Sequence, residues 1–254
     1  MPGAELGLTR PAILAARSRL LRAAGDRGVE RTSRIVPLDW RAWHVTGCRV
    51  PGTGLVRSGV PGGDAVGLSF DDGPAQATAT VLDMLRAAGV HATFYVIGRQ
   101  VSGYPPGAAL MRRALAEGDM LGNHSWQHAV LPAAGSIAET QAGIVAATGF
   151  TPCTFRPPYG RFDARLEADV AALGMRPVTW DIDTRDWTLP GAAAITAAAL
   201  RARPGDIILM HDGGGPRAQT VAALSGVLDG LRARGLRGVT VEDLLGATPV
   251  YRYG

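Results

Sequence analysis

The chain has no lysine: all 26 of its basic residues are arginine, a bias of composition with no chemical message. It has only two cysteines, Cys48 and Cys153, and 6% aromatic residues. Two cysteines so far apart cannot form a zinc knuckle, and two are too few to staple a small secreted scaffold. They read as two independent buried thiols, with a single bridge as the alternative. No apolar stretch reaches eighteen residues, so no segment is suited to span a membrane as a helix. The longest early apolar run, "AILAA", is cut by Arg10 and Arg17 and is too short for a secretory core. If Met1 is the natural start, the expected location is the cytoplasm; a trimmed N-terminus would make it extracytoplasmic.

The net charge of +4 is unevenly placed. Residues 1–60 carry ten arginines against four acids, and residues 61–254 carry sixteen against eighteen. The basic character therefore belongs to the N-terminal part. The remainder shows no basic face with interleaved aromatics, which argues against nucleic acid as a partner. Pro11–Ala24 has the pattern of a helix with basic and apolar residues, expected to pack on the body or stay partly unstructured in preference to lying on an acidic membrane. Gly and Pro density from Pro51 to Gly63 marks a linker. The expected division is a basic extension and linker over 1–62 and a folded domain over 63–254.

From residue 64 onward short apolar runs alternate with helical stretches. The runs are Ala65–Phe70, His91–Ile97, Asp119–Gly122, Thr154–Arg156, Met175–Trp180, Asp206–Met210 and Gly238–Val241. Helices are expected at Thr78–Ala88, Ala108–Glu117, Ala133–Thr148, Asp163–Leu173, Gly191–Ala202 and Gln219–Arg234, several ending in Gly. Such alternation means a parallel β/α architecture, either a barrel or a doubly wound sheet. In both, chemistry gathers where strands end.

The unusual polar residues fall at those ends. Asp71 and Asp72 ("SFDDGP") follow the first strand, and His124 and His128 ("HSWQH") follow the third. "RPPY" (Arg156–Tyr159) ends the fourth, "DIDTRDW" (Asp181–Trp187) follows the fifth, and "MHD" (Met210–Asp212) closes the sixth. Two histidines four apart are a weak metal signal alone. With a carboxylate from the same rim they make a His₂Asp set with an open position, the pattern of a catalytic rather than a structural cation. Two adjacent carboxylates then make sense: one binds the cation and its neighbour takes a proton from the water that the cation activates. His44 and His91 receive no role.

In order and spacing, "SFDDGP", "HSWQH", "RPPYG", "DTRDW" and "IILMHD" resemble the five motifs of the NodB-type polysaccharide deacetylases, carbohydrate esterase family 4. The likeness runs from about Asp64 to Leu245. The stretch "HDGGGPRAQTVAAL" resembles the chitooligosaccharide and peptidoglycan deacetylase branch. The resemblance implies a distorted (β/α)7 barrel with an N-terminal extension, and a divalent metal, zinc first and cobalt or nickel as alternatives, held by Asp72, His124 and His128. It implies Asp71 as general base, Arg156 as its orienting partner and the Tyr159 N–H as an oxyanion donor. His211 would be the general acid and Asp186 the carboxylate that raises its pKa, with Asp183 second for that role. Trp187 and Leu209 would line a pocket for the acetyl methyl. Ser69 stands where the family usually has Thr, and the hydroxyl is kept. The expected activity is removal of N-acetyl groups from an acetamido sugar, releasing acetate. Three rivals follow: a cytoplasmic deacetylase of a soluble glycoside, a metal-free enzyme opening a ring amide, and an inactive carbohydrate-binding barrel.

Overall fold

The computed structural model describes residues 43–60 and 62–253. The helix expected at Pro11–Ala24 lies outside them. In chain order the elements are β1 (Trp43–Arg49), β2 (Ala65–Asp71), α1 (Thr78–Ala88), β3 (Thr93–Val96), α2 (Gly98–Gly103), α3 (Gly107–Glu117) and β4 (Met120–Asn123). There follow α4 (Ala134–Thr148), β5 (Thr154–Phe155), α5 (Ala164–Ala172), β6 (Arg176–Pro177), β7 (Ile182–Asp183) and α6 (Ala192–Ala199). The chain ends with β8 (Ile207–His211), α7 (Ala218–Ala233), β9 (Arg237–Val239), α8 (Val241–Leu244) and β10 (Thr248–Tyr253).

Strand periodicity explains how one sheet serves both core and site. In β2 the residues Val66, Leu68 and Phe70 join the large core under the helices. The alternate residues Gly67, Ser69 and Asp71 must therefore face the other side, because successive side chains of a strand point oppositely. β8 divides the same way: Ile208 and Met210 enter the helix-covered core, while Ile207 packs with Tyr95, Val178 and Val241 in a second, interior cluster. Eight parallel strands form one sheet, ordered β6-β5-β4-β3-β2-β8-β7, with β9 pairing the start of β2. The end strands β6 and β7 are separated by only the four residues Val178–Asp181. Four residues span little more than about 14 Å, so the sheet curls until its two edges approach each other. This is the distorted β/α barrel expected from the sequence, left unzipped at one seam. Val56 stitches part of that seam, donating to Pro177 O and accepting from the Thr179 N–H.

Of the strand expected at Met175–Trp180 only the two residues of β6 form, and a second short strand, β7, follows beyond it, after the bend that closes the curl. The six-residue α2 was not expected either, since it is too short to show a helical period. The one-turn helix α8 was likewise unexpected, while the six expected helices start and stop within three residues of their expected positions, and α1 and α3 end at Gly89 and Gly118 in the left-handed region.

The reading of Cys48 and Cys153 as separate thiols is corrected: they form a disulfide, with Cα atoms 5.4 Å apart across 105 residues of sequence. Their separation along the chain hid this, because β1 docks beside the strand region of Cys153. Gly47 bridges Thr151 there, and β1 pairs antiparallel with β10. Residues 43–60 are thus bound to the barrel by a strand pair, a disulfide and the Val56 bridge. A crosslink over so long a loop restricts the unfolded chain strongly. Cys153→Ser is expected to cost about 2–5 kcal/mol and to lower Tm by roughly 4–20 °C in a thermal melt. An unchanged melt would show that the bridge contributes nothing.

Candidate active site

The sheet is parallel, so the C-terminal ends of its strands share one rim. Asp71 and His211 are the last residues of the neighbouring strands β2 and β8, and they are directly opposed in register. His124 follows β4, Arg156 follows β5 and Asp186 lies just beyond β7. The fold therefore brings together side chains that are up to 140 residues apart.

Asp72, His124 and His128 converge. One donor atom from each lies within 4.8 Å of the others. His128 Nε2 is 3.3 Å and His124 Nε2 3.5 Å from Asp72 Oδ1. His124 Nδ1 donates to Arg156 O at 2.6 Å, which fixes the tautomer and leaves Nε2 as the inward lone pair. Burial pushes its imidazole down to about 3, so it is neutral, as a ligand must be. Asp72 Oδ1 is buried yet has no hydrogen-bond partner among the described residues. A buried carboxylate oxygen with no donor, facing two imidazole nitrogens, is what a cation would complete. The residues fit a divalent metal.

Asp71 stands beside this cluster, its Oδ2 3.6 Å from His124 Nε2. Its other oxygen accepts from Arg156 Nη1 at 2.8 Å. Burial pushes the Asp71 carboxyl up, while the charges of Arg156 and His211 oppose the rise. Arg156 is fully buried and held in place on several sides. Nη1 also donates to Ser69 Oγ, Nη2 donates to Thr179 O, and the guanidinium lies 3.9 Å over the Tyr95 ring. The Ser69 hydroxyl in turn donates to Ile208 O at 2.8 Å, which explains why a hydroxyl is kept at that position. Sequence reasoning noted that hydroxyl without its partner and missed Tyr95 altogether. Tyr95 is opposed to Asp71 across β2 and β3, so its signal was register, invisible in sequence.

His211 forms a second, separate arrangement. Its Nδ1 donates to Asp186 Oδ1 at 2.7 Å, its backbone N–H donates to Asp186 Oδ2 at 2.8 Å, and Thr220 Oγ1 donates to that same oxygen. Asp183 instead accepts from the Arg185 N–H within its own turn. Asp186 is therefore the partner of His211, and Asp183 is not. Burial alone would lower the His211 imidazole, but the bond and charge of Asp186, with Asp71 and Asp72 behind, outweigh it and leave it raised. Burial likewise works to raise Asp186, and its bond with His211 outweighs this and holds the carboxyl low.

Tyr159 sits at φ +59° in a short 3-10 turn, the residue 62% exposed and its ring edge-on to His128 at 4.5 Å between centroids. Its N–H is the first after two prolines, which have none. Trp187 is 51% exposed at the same rim. Leu209 is buried on β8, two residues before His211 and so on its side of the strand.

The turns carrying Asp72 and His211 interlock. A Cβ at Gly213 would collide with Asp72 O, and one at Gly214 with the Asp72 carboxylate. Backbone atoms cannot yield there, so Gly213→Ala is expected to displace Asp72. Its cation affinity, measured by calorimetry, should fall at least about 10-fold, as for disrupted ligand support generally; wild-type affinity would mean that the turn can relax.

Comparison with known proteins agrees with this geometry. Residues 58–178 match the sequence model for polysaccharide deacetylase. The chitooligosaccharide deacetylase of Rhizobium leguminosarum bv. trifolii is 38% identical over 187 residues, covering 66% of this chain and 86% of that protein. The peptidoglycan-N-acetylglucosamine deacetylase of Listeria monocytogenes is 36% identical over 189 residues, and the match covers 71% of this chain but only 39% of that protein's length. A crystal structure of a peptidoglycan N-acetylglucosamine deacetylase superposes with TM-score 0.71 at 30% identity, covering 75% of this chain and 92% of the other.

Proposed function

Because this chain belongs to the polysaccharide deacetylase family, we propose that it is a metal-dependent hydrolase. It removes N-acetyl groups from acetamido sugars of a chitooligosaccharide or peptidoglycan-type glycan and releases acetate. The observation that carries this reading is the unpartnered Asp72 Oδ1 facing His124 and His128, with Asp71–Arg156 on one side and His211–Asp186 on the other.

Asp72, His124 and His128 would hold the cation, zinc first by its preference for nitrogen and oxygen donors, with cobalt or nickel able to replace it. When bound, the cation supplies Lewis acidity to a water and to the acetyl carbonyl. Asp71 takes the proton of the attacking water, its lone pair aimed by the bond from Arg156. The Tyr159 N–H donates to the oxygen that becomes negative as water adds. His211, kept protonated by Asp186, gives its proton to the departing amine, which cannot leave as an anion. Trp187 and Leu209 offer apolar surface to the acetyl methyl. Asp71 and His211 are both present and both oriented, which disfavours an inactive binding barrel.

The disulfide favours an oxidising compartment, since such bridges persist outside the reducing cytosol. This supports a location outside the cytoplasm, where a glycan polymer is available, over the cytoplasmic one expected from the N-terminal residues. No helix among the described residues is long and apolar enough to cross a membrane. The catalytic unit begins at β1, and the basic extension comprises the residues before it.

The test is product stoichiometry on N-acetylglucosamine oligomers and peptidoglycan fragments. One acetate and one new free amine per turnover are expected. Acetate without amine would indicate an esterase, and no acetate from either glycan would reject the substrate class.

A further inference from the structure

Asp212 is buried to 1% exposure immediately after His211, and the chemistry above gives it no task. Its Oδ2 accepts a hydrogen bond from Thr78 Oγ1, and Thr78 Oγ1 accepts from the Ala75 N–H at 2.8 Å. Its own backbone N–H and that of Gly213 both donate to Asp71 O, at 3.1 and 3.3 Å. The carboxylate lies so close to Gly73 that a Cβ there would collide with it. Its Oδ1 is buried without a hydrogen-bond partner among the described residues. Asp212 thus touches the "DDGPAQAT" segment at its start, through Asp71 O, at its middle, through Gly73, and at its end, through Thr78.

Asp72 sits inside that clamp at φ +72°, a left-handed conformation uncommon outside glycine, though aspartate adopts it more readily than most residues. No side-chain hydrogen bond secures Asp72 itself among the described residues. What fixes its carboxylate is the turn, and what fixes the turn is the contact with the loop that begins at Asp212.

We propose that Asp212, acting through Thr78, is a positioning residue for the metal: it fixes the Asp72 turn from behind. The inference rests on the metal reading above. Groups that orient ligands from behind, without touching the ion, typically govern affinity by about 10–100-fold. Asp212 differs from the familiar kind of support in holding the backbone of the ligand turn and not the ligand's side chain.

The experiment compares Zn²⁺ affinity of metal-stripped protein, by competition with a chromogenic chelator, and the visible spectrum of the Co²⁺ form. The variants are Asp212→Asn, Thr78→Val and Thr78→Ser. Asp212→Asn retains size and an acceptor for Thr78 but puts an amide NH₂ where the partnerless oxygen packs against the turn, and is expected to weaken Zn²⁺ binding about 10–100-fold and alter the Co²⁺ bands. Thr78→Val should weaken binding in the same direction, and Thr78→Ser, which retains the hydroxyl, should restore it. Asp119→Asn removes another buried carboxylate, one bonded to the Ala92 N–H far from the rim, and should leave affinity and spectrum at wild-type values. If Asp212→Asn does not fold, the two Thr78 variants decide the question. Wild-type affinity and spectrum in Asp212→Asn and Thr78→Val would overturn the proposal. Failure of the wild-type protein to bind either metal would instead overturn the metal site itself.

Discussion

Asp71→Asn is expected to lower kcat for acetate release by about 10²–10⁴-fold, the usual contribution of a positioned general base. Zn²⁺ affinity should change far less. The side chain keeps its size and its contact with Arg156 can survive through the amide oxygen, so the fold has no reason to fail. What disappears is a carboxylate that lies beside the metal cluster, bonded to a guanidinium and not belonging to the cluster. An amide cannot accept the proton of the attacking water. The loss should therefore appear in kcat with KM little changed, because the base acts in the chemical step. A variant with wild-type kcat would remove Asp71 from the mechanism. A variant that cannot bind metal would move it into the ligand set.

The second large effect concerns the acid. His211 is useful only while protonated, and Asp186 is what keeps its imidazole above the ordinary value despite burial. In the wild type the alkaline limb of the kcat profile should therefore lie above that of an unperturbed histidine. Asp186→Asn removes both the charge and the charge-assisted bond, leaving burial as the dominant influence, and burial lowers an imidazole. The alkaline limb should move to lower pH and kcat at neutral pH should fall by about 10²-fold or more, in line with loss of acid catalysis. Asp183→Asn, whose carboxylate bonds the Arg185 N–H of its own turn, should leave the limb in place. A limb unmoved in Asp186→Asn would mean that another group protonates the amine.

Much of this site was legible because chemistry-bearing residues stood at the ends of apolar runs, and parallel β/α folds gather such ends on one rim. That logic placed Asp71, Asp72, His124, Arg156, Asp186 and His211 together, and the structure has them there. It failed where contact depends on residues meeting across the fold without a local pattern. Cys48 and Cys153 were read as separate because β1 carries little sign of the edge on which it docks. Tyr95 looked like plain strand filling, and only its register with Asp71 puts it under the Arg156 guanidinium. Thr78 and Thr220 are ordinary helix residues in sequence, yet one bonds Asp212 and the other Asp186. Asp212 was seen at the rim but had no motif to give it a purpose. The bend between β6 and β7 escaped for a different reason: strands of two residues are shorter than any period that could announce them.

The most direct test of the whole account is acetate release from N-acetylglucosamine oligomers by chelator-stripped protein, before and after one equivalent of Zn²⁺. The expected result is loss of release on stripping and its recovery on reloading in wild type, with no recovery in Asp72→Ala. Full activity in protein shown to be free of metal would contradict the account, because Asp72, His124 and His128 would then have no reason to converge.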